Sequence, residues 1–366
     1  HESINYALIK AEEGFEYEFI AYGADDIVGA ALILYKKIGS VYFGYSPRGF
    51  LIDYSNDYLL EDFTNKIKEY YKNRNFAFIK INPEIAIAKL NKDTMNFEYN
   101  ENYKIIDMLT KNGYKKLKNN MNFEALLPRV NAIIKLDGYD YNNLSKNTRN
   151  KVKKGIRKGL ILEKANPDKL NIFYKFIKNK INRDEYYYND FYNVFSKTLD
   201  VDLMLVKVDY KAFLINAQEA YNEELRRNAS FNNKLITNNN ANAINAKMNS
   251  DKALLSYKND IAEASKNLNT GLETYVAGAL VIKHQNRVII QISGFNKAMS
   301  RFSPNYFLYY ALIKYYQQEY KYLDLNGITA DLSKENHYYG LNRFKMGFNP
   351  YEKLLKSGLL AKEFNK

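Results

Sequence analysis

A strand pair occurs twice in this sequence. Val28-Gly-Ala-Ala-Leu-Ile-Leu34, a short connector and Val41-Tyr-Phe-Gly-Tyr45 are rich in β-branched and aromatic residues and read as a β-hairpin. Far downstream, Val276-Ala-Gly-Ala-Leu-Val-Ile282 followed by Val288-Ile-Ile-Gln-Ile292 repeats the pattern, including paired small residues before a Leu. Internal duplication is the economical explanation, and small residues midway along a strand predict the close approach of another backbone or a ligand. Each hairpin precedes a helix-like stretch, Tyr58 to Asn73 and Tyr306 to Tyr320, and then a short strand, Phe76 to Ile81 and Tyr322 to Leu325. The expected fold is an α/β (α+β) module used twice.

A chain of 366 residues has room for two such modules at about 100–200 residues each. The order of hairpin, helix and strand resembles the core of acetyltransferase-type folds, an analogy that fixes no reaction. Between Lys211 and Leu268 the character changes, with Ala, Asn, Glu and Lys replacing β-branched residues. Leu254, Tyr257, Ile261, Ala264 and Leu268 follow helical spacing, and Leu214, Ala217, Tyr221 and Leu225 form a looser stripe. Thr237-Asn-Asn-Asn240 supplies turn residues between them. The segment is expected to fold back as an antiparallel coiled-coil arm with a narrow apolar face.

Lys and Arg number 54 against 41 Asp and Glu, for a net charge of +13, which favours polyanionic partners. Solubility alone, or an AT-rich genome, is the plainer source of so many lysines. Local clustering says more. Lys146 to Lys158 holds seven basic residues and no acid. Ser145 is placed to cap a helix there and Gly159 to end it. Val152 and Ile156 are then expected to face inward, while Arg149, Lys153 and Arg157 line one exposed face. Together with Lys146 they form a candidate site for a phosphate backbone.

The absence of Cys excludes disulfides, thiolate metal ligands and a cysteine nucleophile. The longest apolar run, Ile27 to Tyr35, is far short of the about 20 residues that span a bilayer, and no leader is visible in a chain that starts at His1. A soluble protein is the expectation. His284 falls in the turn of the second hairpin, where an exposed, inert ring is expected. His337 lies in the polar loop from Thr329 to Gly340, as an acid or base or as a plain loop residue.

Tyr322-Leu-Asp-Leu-Asn-Gly327 places an acid on a short strand that ends at Gly, the end at which α/β sheets gather their sites. Phe344-Lys345-Met-Gly-Phe348 follows the polar loop. Taken alone, that pentapeptide reads as a surface Lys between two core aromatics, and the acid-bearing strand before it favours a site. In order along the chain come Tyr6-Ala-Leu-Ile-Lys10, Ser46-Pro-Arg-Gly49 with Asp53, Ile81-Asn-Pro-Glu84, Ser145-Lys-Asn-Thr-Arg149, Gly278-Ala-Leu280, Pro304-Asn-Tyr306, Asp324 to Gly327 and Phe344 to Phe348. Through these motifs, over essentially its whole length, the chain resembles the Fem family of non-ribosomal peptidoglycan aminoacyltransferases.

The resemblance implies two tandem acetyltransferase-like domains, at 1–133 and 134–348, with the arm at 211–268 inserted in the second and the tail 349–366 packing on the first. It implies transfer of an amino acid from aminoacyl-tRNA to an amine of a peptidoglycan precursor, lipid II or UDP-MurNAc-pentapeptide. The setting is cytoplasmic, with peripheral contact at the inner membrane face, and no cofactor or metal takes part. Lys345 becomes the cation at the reacting carbonyl, with Phe344 beside it. Lys10 and Arg183 become contacts to the precursor, and Arg48 borders the same cleft, with Asn82, Tyr306, Asp324 and Gly327 completing the substrate-binding set. Lys146, Arg149, Lys153 and Arg157 become the tRNA contacts. The long arm mildly favours a lipid-linked acceptor and leaves the oligomeric state open.

Asn82 stands where relatives carry Asp, and a neutral amide is no general base. Phe50 replaces the usual Pro after Gly49. Two other readings compete. An acyl-CoA-dependent N-acyltransferase predicts a Gly-rich pyrophosphate turn, of which there is no convincing example. A non-catalytic RNA-binding paralogue uses the basic helix and the arm, and leaves Asp324 to Phe348 unexplained.

Overall fold

The structure is a computed structural model that describes residues 1–91, 96–117, 127–180, 182–237, 240–356 and 360–364. The chain divides into two compact units. The first holds His1–Lys135, Asp190–Asp200 and Tyr322–Lys366, and the second holds Leu136–Asn189 and Val201–Lys321. The segment from Tyr322 to Phe348, grouped with the second domain on sequence, therefore belongs with the first unit. The physical reason is that its strand pairs with Val130–Lys135.

Unit one opens with α1 (Ile4–Glu12), whose Ser3 side chain accepts from the Tyr6 amide. There follow β1 (Glu16–Tyr22), β2 (Gly29–Ile38), β3 (Val41–Ser46), β4 (Leu51–Ile52), α2 (Asp57–Lys72) and β5 (Phe76–Ile81). Then come β6 (Ala86–Leu90), β7 (Phe97–Tyr99), α3 (Tyr103–Lys111), β8 (Tyr114–Lys116) and β9 (Val130–Lys135). Strands β2 and β3 form the expected antiparallel hairpin, with Leu34 opposite Tyr45. After helix α2, strand β5 returns parallel to β3. Ala7 of α1 packs with Leu32, Leu34 and Tyr45, so this amphipathic helix is fixed on the hairpin face.

Unit two contains α4 (Lys146–Arg157), β10 (Leu160–Ala165), α5 (Leu170–Ile177), β11 (Val201–Val208), α7 (Tyr210–Thr237), α8 (Ala241–Thr270), β12 (Tyr275–His284), β13 (Arg287–Phe295) and α9 (Pro304–Tyr316). The division between the units falls within α6 (Glu185–Ser196). Strands β10, β11, β12 and β13 lie in that order, each antiparallel to the next. The second copy of the hairpin, β12–β13, carries a bulge after Leu280. The remaining elements, β14 (Tyr322–Ile328), α10 (Tyr339–Met346), β15 (Glu352–Lys356) and β16 (Leu360–Glu363), belong to unit one. There β14, β9, β15, β6 and β7 are neighbours in that order, and β16 lies between β5 and β8.

The small residues shared by the two hairpins have a packing role in common. A Cβ on Gly29 would lie 3.3 Å from the Phe63 ring of α2, and one on Gly278 would lie 3.0 Å from the Phe173 ring of α5. A helix-borne aromatic thus closes on the strand where a side chain would block it. Each hairpin receives a ring, and at Gly278 the Leu205 side chain (2.6 Å from such a Cβ) and the Met204 backbone oxygen (3.2 Å) also close in, so the expected approach of another backbone holds there.

The helices α7 and α8 extend from 210 to 237 and from 241 to 270, close to the expected bounds. Asn238 and Asn239 of the expected turn lie outside the described residues. Asn228 donates to Ser250 (3.0 Å) and to Asp251 (2.8 Å), and Ser250 donates to Glu224 (2.6 Å), so the two helices run side by side in antiparallel register. The apolar stripe expected on α7 needs correction. Leu225 is exposed, whereas Ala217 and Asn228 are buried, so mid-helix pairing is polar rather than apolar. Leu268 of α8 is also exposed, and the helix ends just beyond it at Gly271 in left-handed conformation.

Candidate active site

The site in unit one is built on a break in the pairing of β14 with β9. Asp324 pairs with Ile133 and Gly327 with Asn131, so β14 carries one more residue than its partner over that stretch. Asn326, at φ +67°, absorbs the extra residue as a bulge, and its amide donates to Asp324 Oδ1 at 2.7 Å. Asn131 donates from Nδ2 to both Asp324 oxygens, at 3.2 and 2.9 Å. Asp324 is 2% exposed. A buried carboxylate is tolerable in such a place because donors surround it.

Lys345, on α10, directs its ammonium at this bulge and donates to the Gly327 carbonyl at 2.7 Å. Burial lowers its pKa to about 8, and the charge of Asp324 works in the opposite direction. Near neutral pH it is mostly charged, with donor positions to spare after Gly327 is satisfied. Phe344 is half-buried and meets Phe348 edge-on, with ring centroids 5.4 Å apart. The reading of the pentapeptide as a surface Lys between core aromatics fails, since Lys345 is buried. Its aromatics pack, and its lysine points inward to a polar cluster.

A second buried lysine was not foreseen. Lys356, at the end of β15, pairs with Glu84 at 3.0 Å, and its amide donates to the Arg129 carbonyl at 2.9 Å. Burial lowers its pKa to about 8, Arg48 lowers it further, and Glu84 and Asp324 raise it. The charge of Asp324 thus acts on Lys345 and Lys356 alike. Asn131 was not foreseen either. Its sequence signal is a lone amide in the apolar run Val130 to Ile134, which in a buried strand needs a polar partner.

Asn82 is 3% exposed, and its Oδ1 accepts from the Tyr45 hydroxyl (3.0 Å) and the Arg48 amide (2.9 Å). These two donors suit an amide oxygen and give it a holding role. Arg48 adopts φ +59° and donates from its guanidinium to the Pro128 carbonyl at 2.9 Å. Lys10 lies on α1, paired with Glu13 at 2.8 Å and 5.5 Å from the Tyr6 ring centroid. An anionic ligand at Lys10 has to compete with that acid. Within unit one, the structure connects Asp324, Gly327 and Lys345 directly, and Arg48 with Asn82.

The other candidates lie in unit two. Arg183 sits over the Tyr187 ring at 4.0 Å, and its carbonyl accepts from the Tyr174 hydroxyl at 3.2 Å. Tyr306 is half-buried in the first turn of α9. Helix α4 forms as its sequence predicts, with the Ser145 hydroxyl accepting from the Thr148 amide at 3.3 Å and Gly159 at φ +68° ending it. Lys146, Lys153 and Arg157 are exposed and Arg149 is half-buried. One expectation fails, since Ile156 is 45% exposed. The inward place belongs to Gly155, where a Cβ would lie 2.9 Å from that of Phe307, so α4 and α9 are too close for a larger side chain. His284 and His337 are both exposed, and His337 meets the Tyr338 ring edge-on at 5.1 Å.

The FemAB family model matches residues 1–354. The lipid II:glycine glycyltransferase of Staphylococcus aureus strain MRSA252 is 26% identical over 364 residues, covering 94% of this chain and 84% of that protein. The lipid II:glycine glycyltransferase of Staphylococcus aureus strain USA300 is 25% identical with the same coverage. Among solved structures, the crystal structure of FemX superposes with a TM-score of 0.77 at 22% identity, covering 99% of this chain and 91% of that one. At that identity the likeness is one of fold.

Proposed function

We propose that this chain, which belongs to the FemAB family, takes an amino acid from aminoacyl-tRNA and joins it to an amine on the stem peptide or cross-bridge of a peptidoglycan precursor. The observation that carries the reading is the buried ammonium of Lys345, held 2.7 Å from the Gly327 carbonyl beside Asp324. It is supported by relatives named as glycyltransferases acting on lipid II. The acceptor is lipid II or UDP-MurNAc-pentapeptide.

The acceptor amine attacks the ester carbonyl carbon, a C–N bond forms, and the carbonyl oxygen gains negative charge. On collapse the C–O bond to the ribose breaks, and the ribose oxygen leaves with a proton that the attacking nitrogen gives up. The ester is already activated, so alignment and charge stabilisation are the enzyme's main tasks. Lys345 supplies a donor to the developing oxyanion while keeping its bond to Gly327, with Phe344 flanking it. Asn82, its oxygen accepting two donors, holds the loop of Arg48 and takes no proton. Lys10, Arg48, Arg183 and Tyr306 contact the precursor, and Lys146, Arg149, Lys153 and Arg157 contact the tRNA.

The finer architecture belongs to the same proposal: both units are acetyltransferase-like, and α7–α8 is a coiled-coil arm. Among the described residues no helix is long and apolar enough to cross a membrane. A lipid-linked acceptor then places the enzyme in the cytoplasm, peripherally at the inner membrane face. The test is transfer of labelled amino acid from charged tRNA to lipid-linked or nucleotide-linked muropeptide. Lys345-dependent transfer supports the reading; turnover with acetyl-CoA, or tRNA binding with no transfer under any charging, overturns it. Lys153→Glu with Arg157→Glu is expected to weaken tRNA use and flatten its salt dependence.

A further inference from the structure

Helix α4 does not present all its cations to open solvent. Between it and the foot of the α7–α8 pair lies a cleft of about 390 Å3, near the low end of the range for ligand sites, about 300–1,000 Å3. Lys154 and Arg157 line it from α4 and Tyr257 and Ser256 from α8. The arm wall also holds Phe213, Asn216 and Asp260, together with Ala217, Ala220 and Ala253, whose small side chains leave room.

The acids near the cleft are already neutralised. Asp260 pairs with Lys158, whose ammonium also lies 4.8 Å from the Phe213 centroid and 5.2 Å from that of Phe302. Glu263 pairs with Arg301 through both guanidinium nitrogens. Among the described residues, neither Lys154 nor Arg157 has an acid as ion-pair partner. The cleft therefore presents two uncompensated cations on a rigid helix, with a half-buried tyrosine ring on the facing wall.

We propose that this cleft binds a single nucleotide of an RNA strand, its phosphate at Lys154 and Arg157 and its unpaired base against Tyr257. The proposal rests on the tRNA-dependent reading and deepens it by giving the arm a role as the second wall of a nucleotide site. Aromatic rings accept any base by stacking, and paired cations track the backbone. Arg157 belongs to both the cleft and the row of Lys153, half-buried Arg149 and Lys146, so phosphates beyond the cleft meet further cations. An isolated phosphate or lipid headgroup would use only the cleft.

The experiment uses the full chain, with fluorescence anisotropy of uncharged tRNA over a salt series and steady-state transfer kinetics. Tyr257→Ala is expected to weaken tRNA binding on the order of tenfold with the salt slope unchanged, and Tyr257→Phe to restore it. Lys154→Gln, a change at a half-buried position of the cleft wall, is expected to weaken binding and reduce the salt slope by about one. Both are expected to raise the KM for aminoacyl-tRNA and leave that for muropeptide alone. Wild-type transfer with an unchanged tRNA KM in both variants overturns this inference and leaves the proposed function intact. Failure of wild-type transfer overturns the proposed function, and Tyr257-dependent tRNA binding then still supports the cleft. Equal inhibition of tRNA binding by inorganic phosphate or anionic vesicles in wild type and Tyr257→Ala, with equal affinities, overturns the nucleotide assignment.

Discussion

The ammonium of Lys345 lies 2.7 Å from the carbonyl oxygen of Gly327, at the bulge that also carries Asp324. A cation desolvated to this degree is a strong donor, and its charge is lost at unusually low pH. Transfer is expected to fall as pH rises through about 8, where Lys345 deprotonates. Lys345→Arg keeps a cation but not the point-charge geometry, and is expected to abolish the alkaline fall while lowering kcat. The check is a pH–kcat profile of each protein.

Stability should move the other way. Lys345, Lys356 and Lys362 have folded pKa values of about 8, against 10.5 unfolded. Between these values the unfolded chain binds more protons, so unfolding free energy rises with pH. Urea midpoints are expected to increase from pH 8 to pH 9.5 in wild type, and the increase should shrink in Lys356→Met. A midpoint that falls over that window would contradict the burial argument.

Asp324 opposes the pKa loss in both buried lysines of the site. Asp324→Asn removes that charge while leaving an acceptor for the Asn326 amide. The alkaline limb of the transfer profile is therefore expected to shift to lower pH. A limb that stays in place would mean that Lys345 does not set it.

The hairpins, both arm helices and the basic helix were legible because period and end signals agree along them. Ser145 and Gly159 mark α4 at both ends, and the paired small residues mark the two hairpins. What escaped depends on which residues lie opposite one another. Ile156 reads as inward by spacing, yet Gly155 occupies that place because Phe307 comes too close. Leu225 reads as part of an apolar stripe, yet Asn228 and Ser250 make the contact. Lys345 was found through the resemblance. Lys356 was not, because its place in the tail carries no signal until Glu84 is placed beside it.

Asn82 gives a further prediction about the missing base. Its oxygen accepts from Tyr45 and Arg48, so Asn82→Ala removes both buried bonds and is expected to cost about 1–3 kcal/mol by urea unfolding. Asn82→Asp keeps both bonds and is expected to leave kcat unchanged. A marked gain in kcat would show that the reaction is limited by proton removal at this position.

The most direct test is the rate of labelled amino acid transfer from charged tRNA to muropeptide by wild type and by Lys345→Met at pH 7. Removing a preorganised oxyanion donor predicts a fall in kcat of about 100- to 1,000-fold with little change in tRNA affinity. Transfer by Lys345→Met at the wild-type rate would contradict the assignment of Lys345 as the charge that stabilises the reaction.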